Sequence, residues 1–387
     1  MQFGPEYLIP KPFDARVLIW EASAVAQAAV DEGMARINAK DFDVDKYREN
    51  LEARLGLTRS IMRHVINIAK KDRKKVVFSE GEEPTIIKAA AQCMVEGICD
   101  PILLGHPERI EAVKEELGLS FDCEVIDVRY DPRRRGDYAD ELHKLRGRKG
   151  LTRRDAISLL KSPNYFGPMM VHCGDADGYL GGIAHHYPDI VKPCLQTIGP
   201  DPSAHRIVGL YMMTVNGQLM FIADATINIY PDARTLAEIA LQTARVARRF
   251  GVTPKVAMLS FSNFGTSNEL RTDRIEEAIT MAREMDRGLV IDGPMQADTA
   301  LVPDRQKEVR FMEFEGPANV LVCPNLASAN IAYKLLQRIA GAEMTGPILE
   351  GLAKPAHVLQ RGDSVRQVVH MAAITAVDAQ RHARQRL

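Results

Sequence analysis

Three stretches of the chain carry side chains whose types and spacing could do chemistry. Near the end, Gln360-Arg361-Gly362-Asp363 is a polar turn that runs straight into a helix. Ser364 is a good N-cap with Gln367 three residues later, so Ser364-x-x-Gln367 reads as a capping box. The positive end of such a helix, with Arg361 just before it, suits phosphate or another anion. In the middle, Gly174-Asp-Ala-Asp-Gly178 offers Asp175 and Asp177 either as a carboxylate pair for acid–base work or as caps of a tight turn. Just beyond it, Gly181-Gly182 would let backbone approach a ligand closely. His185-His186, with Cys173 the one other candidate ligand nearby, does not make a metal site, because adjacent imidazoles on a bend rarely share one ion.

The elements that must position these residues alternate. Lys75–Gly81 is a short buried strand ending in a Gly turn, Glu82–Val95 a helix, Pro101–Gly105 a strand and Pro107–Leu117 a helix. This β–α–β–α order predicts an α/β fold with parallel sheets covered on both faces. Tyr138–Ser162 reads as mostly helical and Met169–Cys173 as a buried strand. Asn216-Gly217 is a hairpin signal between Leu210–Thr214 and Leu219–Ile222. A helix follows over about 232–250, and Val256–Ser262 is a strand that delivers a loop at its carboxyl end, the usual place for a ligand. Asp273–Arg287 is a helix, Val320–Asn325 a strand and Ala329–Ala340 a helix stopped by Gly341. In the last helix Val365, Val368, Val369, Ala372, Ala373 and Ala376 form a stripe suited to packing on a sheet.

Composition narrows the partners. With 50 basic and 51 acidic side chains the formal net charge is −1, and the basic runs Lys70–Lys75 and Arg133–Arg135 are short, so nothing points to nucleic acid. No apolar run approaches the roughly 20 residues of a membrane span. The six Cys show no CxxC pair and read as reduced thiols. The expectation is a soluble, cytoplasmic protein.

The final stretch resembles the phosphate acetyltransferase (phosphotransacetylase) pattern L-S-R-G-x-S-x-x-D-[IV]-V-x-x-A-A-I-T-A, matched here by Arg361, Gly362, Ser364 and Ala372–Ala376. Two positions differ: the pattern's Ser is Gln360, and its Asp is Gln367. The resemblance implies that this Asp is the base that deprotonates the thiol of coenzyme A. An amide has no basic form near neutral pH, so Gln367 cannot take that role. The stretch Met169–Gln196 resembles G-D-A-D-G-x-V-S-G-A-x-H-[ST]-T-A-D-x-x-R-P-A-L-Q, with Gly182, His185, Asp189, Pro193 and Leu195-Gln196 matching. Gly181 replaces its Ser, His186-Tyr187 its [ST]-T pair, and Lys192 the Arg that pairs with phosphate. Lys keeps the charge and loses the bidentate fork. Arg146 stands where the pattern L-R-x-x-K-G-[ML]-T implies contact with the acyl phosphate or cofactor; a surface Arg beside a helix end is the alternative. Phe221–Pro231 resembles FADxAVNxxP, and Asn319–Pro355 is similar to the family signature that includes Asn325.

The resemblance covers about residues 58–379. It implies two α/β domains with parallel-rich sheets flanked by helices and a cleft between them, the first over 58–205 plus 347–387 and the second inserted as 206–346. The opening Phe3–Asp14, rich in Pro, and the helix Ala15–Ile37 resemble the closing segment of a bacterial NADP-dependent malic enzyme domain. Residues 1–57 therefore read as a malic-type tail with linker helices, starting inside a longer chain.

Three functions fit these residues. The first is a regulatory domain that binds acetyl-CoA without turning it over, through Arg361, Gly362, Ser364, Arg146, Gly181, Gly182, His185, Lys192, Gln360 and Asn325. Its parent would be a malic enzyme whose NADP and divalent metal (Mg or Mn) belong to a preceding domain, and the helices within Ala15–Lys71 would couple the two. This chain carries no strand–GxGxxG–helix unit, so no NADP site is assigned to it. The second is an active phosphate acetyltransferase, and the third a purely structural oligomerisation module. A homo-oligomer is expected under either the first or the third.

Overall fold

The computed structural model describes residues 20–37, 42–45, 47, 51, 57–215, 217–264, 270–309 and 311–385. The Pro-rich opening Phe3–Asp14 lies outside the described residues, as does Asn216. Of the helix expected over Ala15–Ile37, Ala22–Asp31 is helical.

Two sheets form the frame. The first has the order β11-β4-β1-β2-β3, all parallel: β1 Lys75–Phe78, β2 Asp100–Leu104, β3 Glu124–Ile126, β4 Gly178–Gly181 and β11 Ala356–Val358. The second runs β10-β5-β6-β9-β7-β8, with β5 Val208–Val215, β6 Gln218–Ala223, β7 Val256–Leu259, β8 Ile291–Met295, β9 Val320–Val322 and β10 Glu343–Glu350. β5 pairs antiparallel with both β6 and β10, so the hairpin read from Asn216-Gly217 is present; β6, β9, β7 and β8 are parallel. Strand β10 belongs to the second sheet through Glu350 and straddles the boundary expected after residue 346.

Local signals explain the elements. Among the described residues five helices open on Pro: Pro84–Glu96, Pro107–Glu116, Pro132–Arg146, Pro163–Cys173 and the short Pro303–Gln306, where the missing N–H would have had no partner in any case. The helix Pro163–Cys173 corrects one expectation. Met169–Cys173 is not a strand but the end of a helix, begun by the N-cap Ser162, whose Oγ accepts from Asn164 N, and ended by Gly174 in the left-handed conformation. A five-residue apolar run fits a buried helix end as well as a strand, and the caps decide. The strand that follows is Gly178–Gly181.

The two sheets share a core. One apolar cluster joins Phe78 and Leu103 of the first sheet to Leu210, Phe221 and Val256 of the second, through helices that include Leu57–Ala69, Ala233–Arg249 and Val365–Gln385. In Val365–Gln385 the expected stripe is buried: Val368, Val369, Ala372, Ala373 and Ala376 are each at most 2% exposed. Small side chains let this helix approach β4 closely. Gln380 Nε2 also donates to the carbonyls of Ile68, Ala69 and Asp72, capping the end of Leu57–Ala69. A buried ionic network ties the same region: Arg249 pairs with Glu350 and, at 2.9 Å, with Asp378, which meets His357 Nε2 at 3.1 Å. Both sheets thus have a common back. Among the described residues no helix is long and apolar enough to cross a membrane.

Candidate functional site

The carboxyl ends of the parallel strands carry the loops that border the site. After β1 the chain passes through Ser79 to Glu80, whose side chain is 4% exposed. Its carboxylate accepts from the backbone N–H groups of Gly182 (2.7 Å), Ile183 (3.2 Å) and Ala184 (2.9 Å) and from His185 Nδ1 (2.7 Å). A carboxylate only accepts, so His185 presents an N–H at Nδ1 to Glu80. Four donors on one buried anion fix the loop after β4.

The loop after β11 locks onto it. Leu359 N donates to Gly181 O (2.7 Å) and Arg361 Nη2 to Ala184 O (3.1 Å). Here the expected use of Gly181-Gly182 changes. A Cβ on Gly181 would lie 2.2 Å from Ser79 Oγ, and one on Gly182, at φ 120°, would lie 2.6 Å from Leu359 O. The close approach that these glycines permit is between segments of this chain.

At the start of Val365–Gln385 the capping box is present. Gln367 Oε1 accepts from Ser364 N and Ser364 Oγ, both at 2.8 Å, and Gln367 N donates to Ser364 Oγ at 3.4 Å. Gln367 Nε2 donates to Met344 O (3.3 Å), so both ends of the amide serve the fold. Gly362 (φ 85°) lies in the turn with open space above its Cα. Gln360 Nε2 points to Gly346 O at 3.5 Å, and Gln360 N donates to Asp363 Oδ2 at 2.8 Å.

A cleft of about 480 Å³ opens beside these loops, lined among others by His185, Asp189, Lys192, Ser162, Asn164 and Tyr165. Ser162 and Asn164 stand at the positive end of Pro163–Cys173. Asn164 Oδ1 is buried there without a protein partner. Burial pushes the Tyr165 phenol up, and the Arg146 charge opposes that shift. Of the expected residues, His185 and Lys192 line this cleft, and Arg361 is tied to the neighbouring loop through Ala184 O. Asn325 instead N-caps Leu326–Ile339, accepting from Ser328 N (2.9 Å) and Ser328 Oγ (3.1 Å). The Asp pair is also absorbed by the fold, Asp177 accepting from Lys75 N (2.8 Å) and Asp175 from Tyr138 OH.

The second sheet mirrors the first. Asp224, just after β6, is 2% exposed and accepts from the backbone N–H of Gly209, Thr226, Ile227 and Asn228 and from Asn228 Nδ2. Burial pushes its carboxyl up and these donors pull it down, with burial the stronger. Between the two units, Tyr187 OH donates to Thr226 Oγ1 at 2.7 Å. Glu80 and Asp224 were not singled out from sequence. Their signal is an acidic residue directly after a buried apolar strand, in Val-Val-Phe-Ser-Glu80 and Met-Phe-Ile-Ala-Asp224.

One carboxyl near Arg361 titrates unusually. Burial raises Asp363 from the ordinary Asp range to about 6, against one backbone donor. Its folded state therefore binds the proton more tightly than the unfolded chain, so its contribution to stability is intact below about pH 4 and is lost as pH rises toward 6. Asp363→Asn should leave stability unchanged near pH 4 and raise it by about 1–3 kcal/mol at pH 7. Urea unfolding of both proteins across this range reads the difference; equal stability at pH 7 would show that Asp363 is not buried as described.

The family model for phosphate acetyl/butaryl transferase matches residues 60–376. The NADP-dependent malic enzyme of Escherichia coli (strain K12) is 38% identical over 388 residues, which is 98% of this chain and 51% of that protein. A phosphate acetyltransferase of Thermoanaerobacterium thermosaccharolyticum is 38% identical over 334 residues, covering 83% of this chain and all of the relative. The crystal structure of a phosphotransacetylase from Streptococcus pyogenes superposes with a TM-score of 0.79 at 35% identity, covering 84% of this chain and 99% of that one. The chain spans about half the length of the malic enzymes it matches.

Proposed function

The chain belongs to the phosphate acetyl/butaryl transferase family, and from that premise we propose that it is a catalytically degenerate member that binds acetyl-CoA as a regulatory ligand of an NADP-dependent malic enzyme. One observation carries the reading: Gln367 has no basic form and both ends of its amide are held in the fold, while His185 and Lys192 line one cleft. The cleft retains positive charge for the phosphates of a CoA ester and lacks a base at the position where the family pattern supplies one. Asn164 Oδ1, buried and unpartnered, suits an N–H or O–H of the ligand.

The parent enzyme would oxidatively decarboxylate malate, with NADP and a divalent cation held by its own malic enzyme domain. Similarity over 98% of this chain to malic enzymes supports that context. Acetyl-CoA lies downstream of the pyruvate such an enzyme makes, so binding it would give feedback, transmitted through the helices of the Ala15–Lys71 segment. A homo-oligomer also fits: Ile331, Leu335 and Ile339, spaced by four on Leu326–Ile339, are 60%, 52% and 81% exposed. Such a complex would work in the cytoplasm.

A second reading, residual acyl transfer, is favoured by Asp363, a carboxyl raised to about 6 within the Arg361 turn. It stands lower because its Oδ2 already accepts from Gln360 N.

In the full-length malic enzyme, acetyl-CoA should change malate oxidation with a coupling of about 1–3 kcal/mol between the two sites. Arg361→Ala should remove most of that response and leave activity without acetyl-CoA unchanged. An undiminished response in the variant would place the effector elsewhere.

A further inference from the structure

A second cavity, of about 320 Å³, shares no lining residue with the cleft of His185 and Lys192. Its wall is built from the helix Ala233–Arg249, the carboxyl end of β10, strand β11 and the helix Val365–Gln385, so both sheets contribute to it. Its volume falls within the range of small-molecule sites.

One wall residue is a buried acceptor. Gln242 is 3% exposed, and its Nε2 donates to Arg206 O at 2.9 Å, which fixes the amide. Its Oε1 meets no donor among the described residues. A buried carbonyl oxygen of this kind calls for an N–H or O–H from the cavity. Gly351 lies against that oxygen with φ 90°, and a Cβ there would come within 3.2 Å of Oε1 and 2.7 Å of Arg206 O. Glycine at this position keeps any side chain from covering the acceptor.

The cations of the wall are unequally matched. Arg249, its side chain 10% exposed, is bracketed by Glu350 and Asp378. Burial pulls its guanidinium down, and the two carboxylates more than offset this. Arg381 is the contrary case. It stands 4.0 Å from Asp378, which is already engaged by Arg249 at 2.9 Å and by His357 Nε2 at 3.1 Å. Burial and the like charge of Arg249 push the Arg381 guanidinium below the ordinary Arg range. Arg245, one helical turn before Arg249, adds an exposed cation to the same wall. Of the remaining carboxylates, Asp201 is taken by Ser203 N (2.7 Å) and Ser203 Oγ (2.6 Å), and Glu238 lies 3.4 Å from Gln242 Nε2. A ligand anion would therefore supply Arg381 with the charge that Asp378 divides among three partners. Beside three guanidinium groups a neutral hydroxyl suits Gln242 Oε1 better than an ammonium.

We propose that this cavity is a binding site for a small hydroxycarboxylate, its carboxylate held by Arg381 and Arg245 and its hydroxyl donating to Gln242 Oε1. The site stands apart from the acetyl-CoA reading, which uses none of these residues.

Titration calorimetry of this chain with L-malate and with succinate tests the assignment. L-Malate should bind saturably and about fivefold more tightly than succinate, which keeps both carboxylates and lacks the hydroxyl. Arg381→Gln and Arg245→Gln should each weaken L-malate at least about fivefold, and Gln242→Met should erase the preference for L-malate over succinate. Arg245 is exposed, so its variant decides the matter should Arg381→Gln disturb the fold. Lys192→Ala, in the other cleft, should leave L-malate binding as in the parent. Absence of saturable L-malate binding, equal affinity for succinate, or parental affinity in Arg245→Gln would overturn the proposal. So would a loss in Lys192→Ala, which would move the ligand to the first cleft. Failure of acetyl-CoA to bind would remove the regulatory reading and leave this result untouched.

Discussion

Replacing Glu80 with Ala should destabilise the protein by about 3–5 kcal/mol and abolish ligand binding in the cleft. The side chain is 4% exposed and takes hydrogen bonds from three consecutive backbone N–H groups and from His185 Nδ1. Removing it leaves those donors without their acceptor, and an unmade buried hydrogen bond costs more than a made one contributes. The damage should spread by a known route. Arg361 is tied to this loop by donating to Ala184 O, and Leu359 is held by Gly181 O, so loosening residues 182–185 also releases the turn before Val365–Gln385. Glu80→Gln keeps the volume and one acceptor oxygen but turns an NH₂ toward donors, and should lose about 2–3 kcal/mol. Chemical unfolding of the three proteins measures this order. A loss below about 1 kcal/mol in Glu80→Ala would mean that the loop is held by something other than this carboxylate.

The second large effect is a gain. A triple variant with Gln360→Ser, Gln367→Asp and Lys192→Arg should acquire transfer of acetyl groups between acetyl phosphate and CoA, at least about 10²-fold above the parent, since a positioned base typically contributes 10²–10⁴ in rate. Asp at position 367 would sit in the first helical turn, where an acidic side chain is compatible with the cap that Gln367 now makes to Ser364. Arg at 192 would restore a planar fork to the cleft wall. Coupled spectrophotometric detection of acetyl-CoA formation reads the outcome. A folded triple variant that binds CoA and shows no gain would mean that the differences at these three positions are not what silences the site.

The residues that could be read in advance and those that could not divide on physical grounds. The alternation of strands and helices was legible because buried parallel strands are short apolar runs bounded by turns, as in Lys75–Phe78 and Asp100–Leu104. The capping box at Ser364 and Gln367 was legible because caps act over three residues. Met169–Cys173 was misread because a short apolar run carries no period, and its identity rests on Ser162 and Gly174, outside the run. Asn325 was drawn into the site by motif likeness, whereas its carbonyl oxygen caps a helix. Glu80 and Asp224 could not be ranked among 51 acidic residues, because what marks them is the set of N–H groups that the fold brings around them. The pairing of Tyr187 with Thr226, 39 residues apart on opposite sheets, is likewise a product of tertiary structure.

The measurement that bears most directly on the central claim is calorimetric titration of this chain with acetyl-CoA, run beside an assay of acetyl transfer from acetyl phosphate to CoA. The proposed regulatory site predicts saturable binding with no transfer above background. Transfer at a rate well above background would contradict the claim and point to Asp363 as a replacement base, and absence of any binding would reduce the cleft to a structural relic.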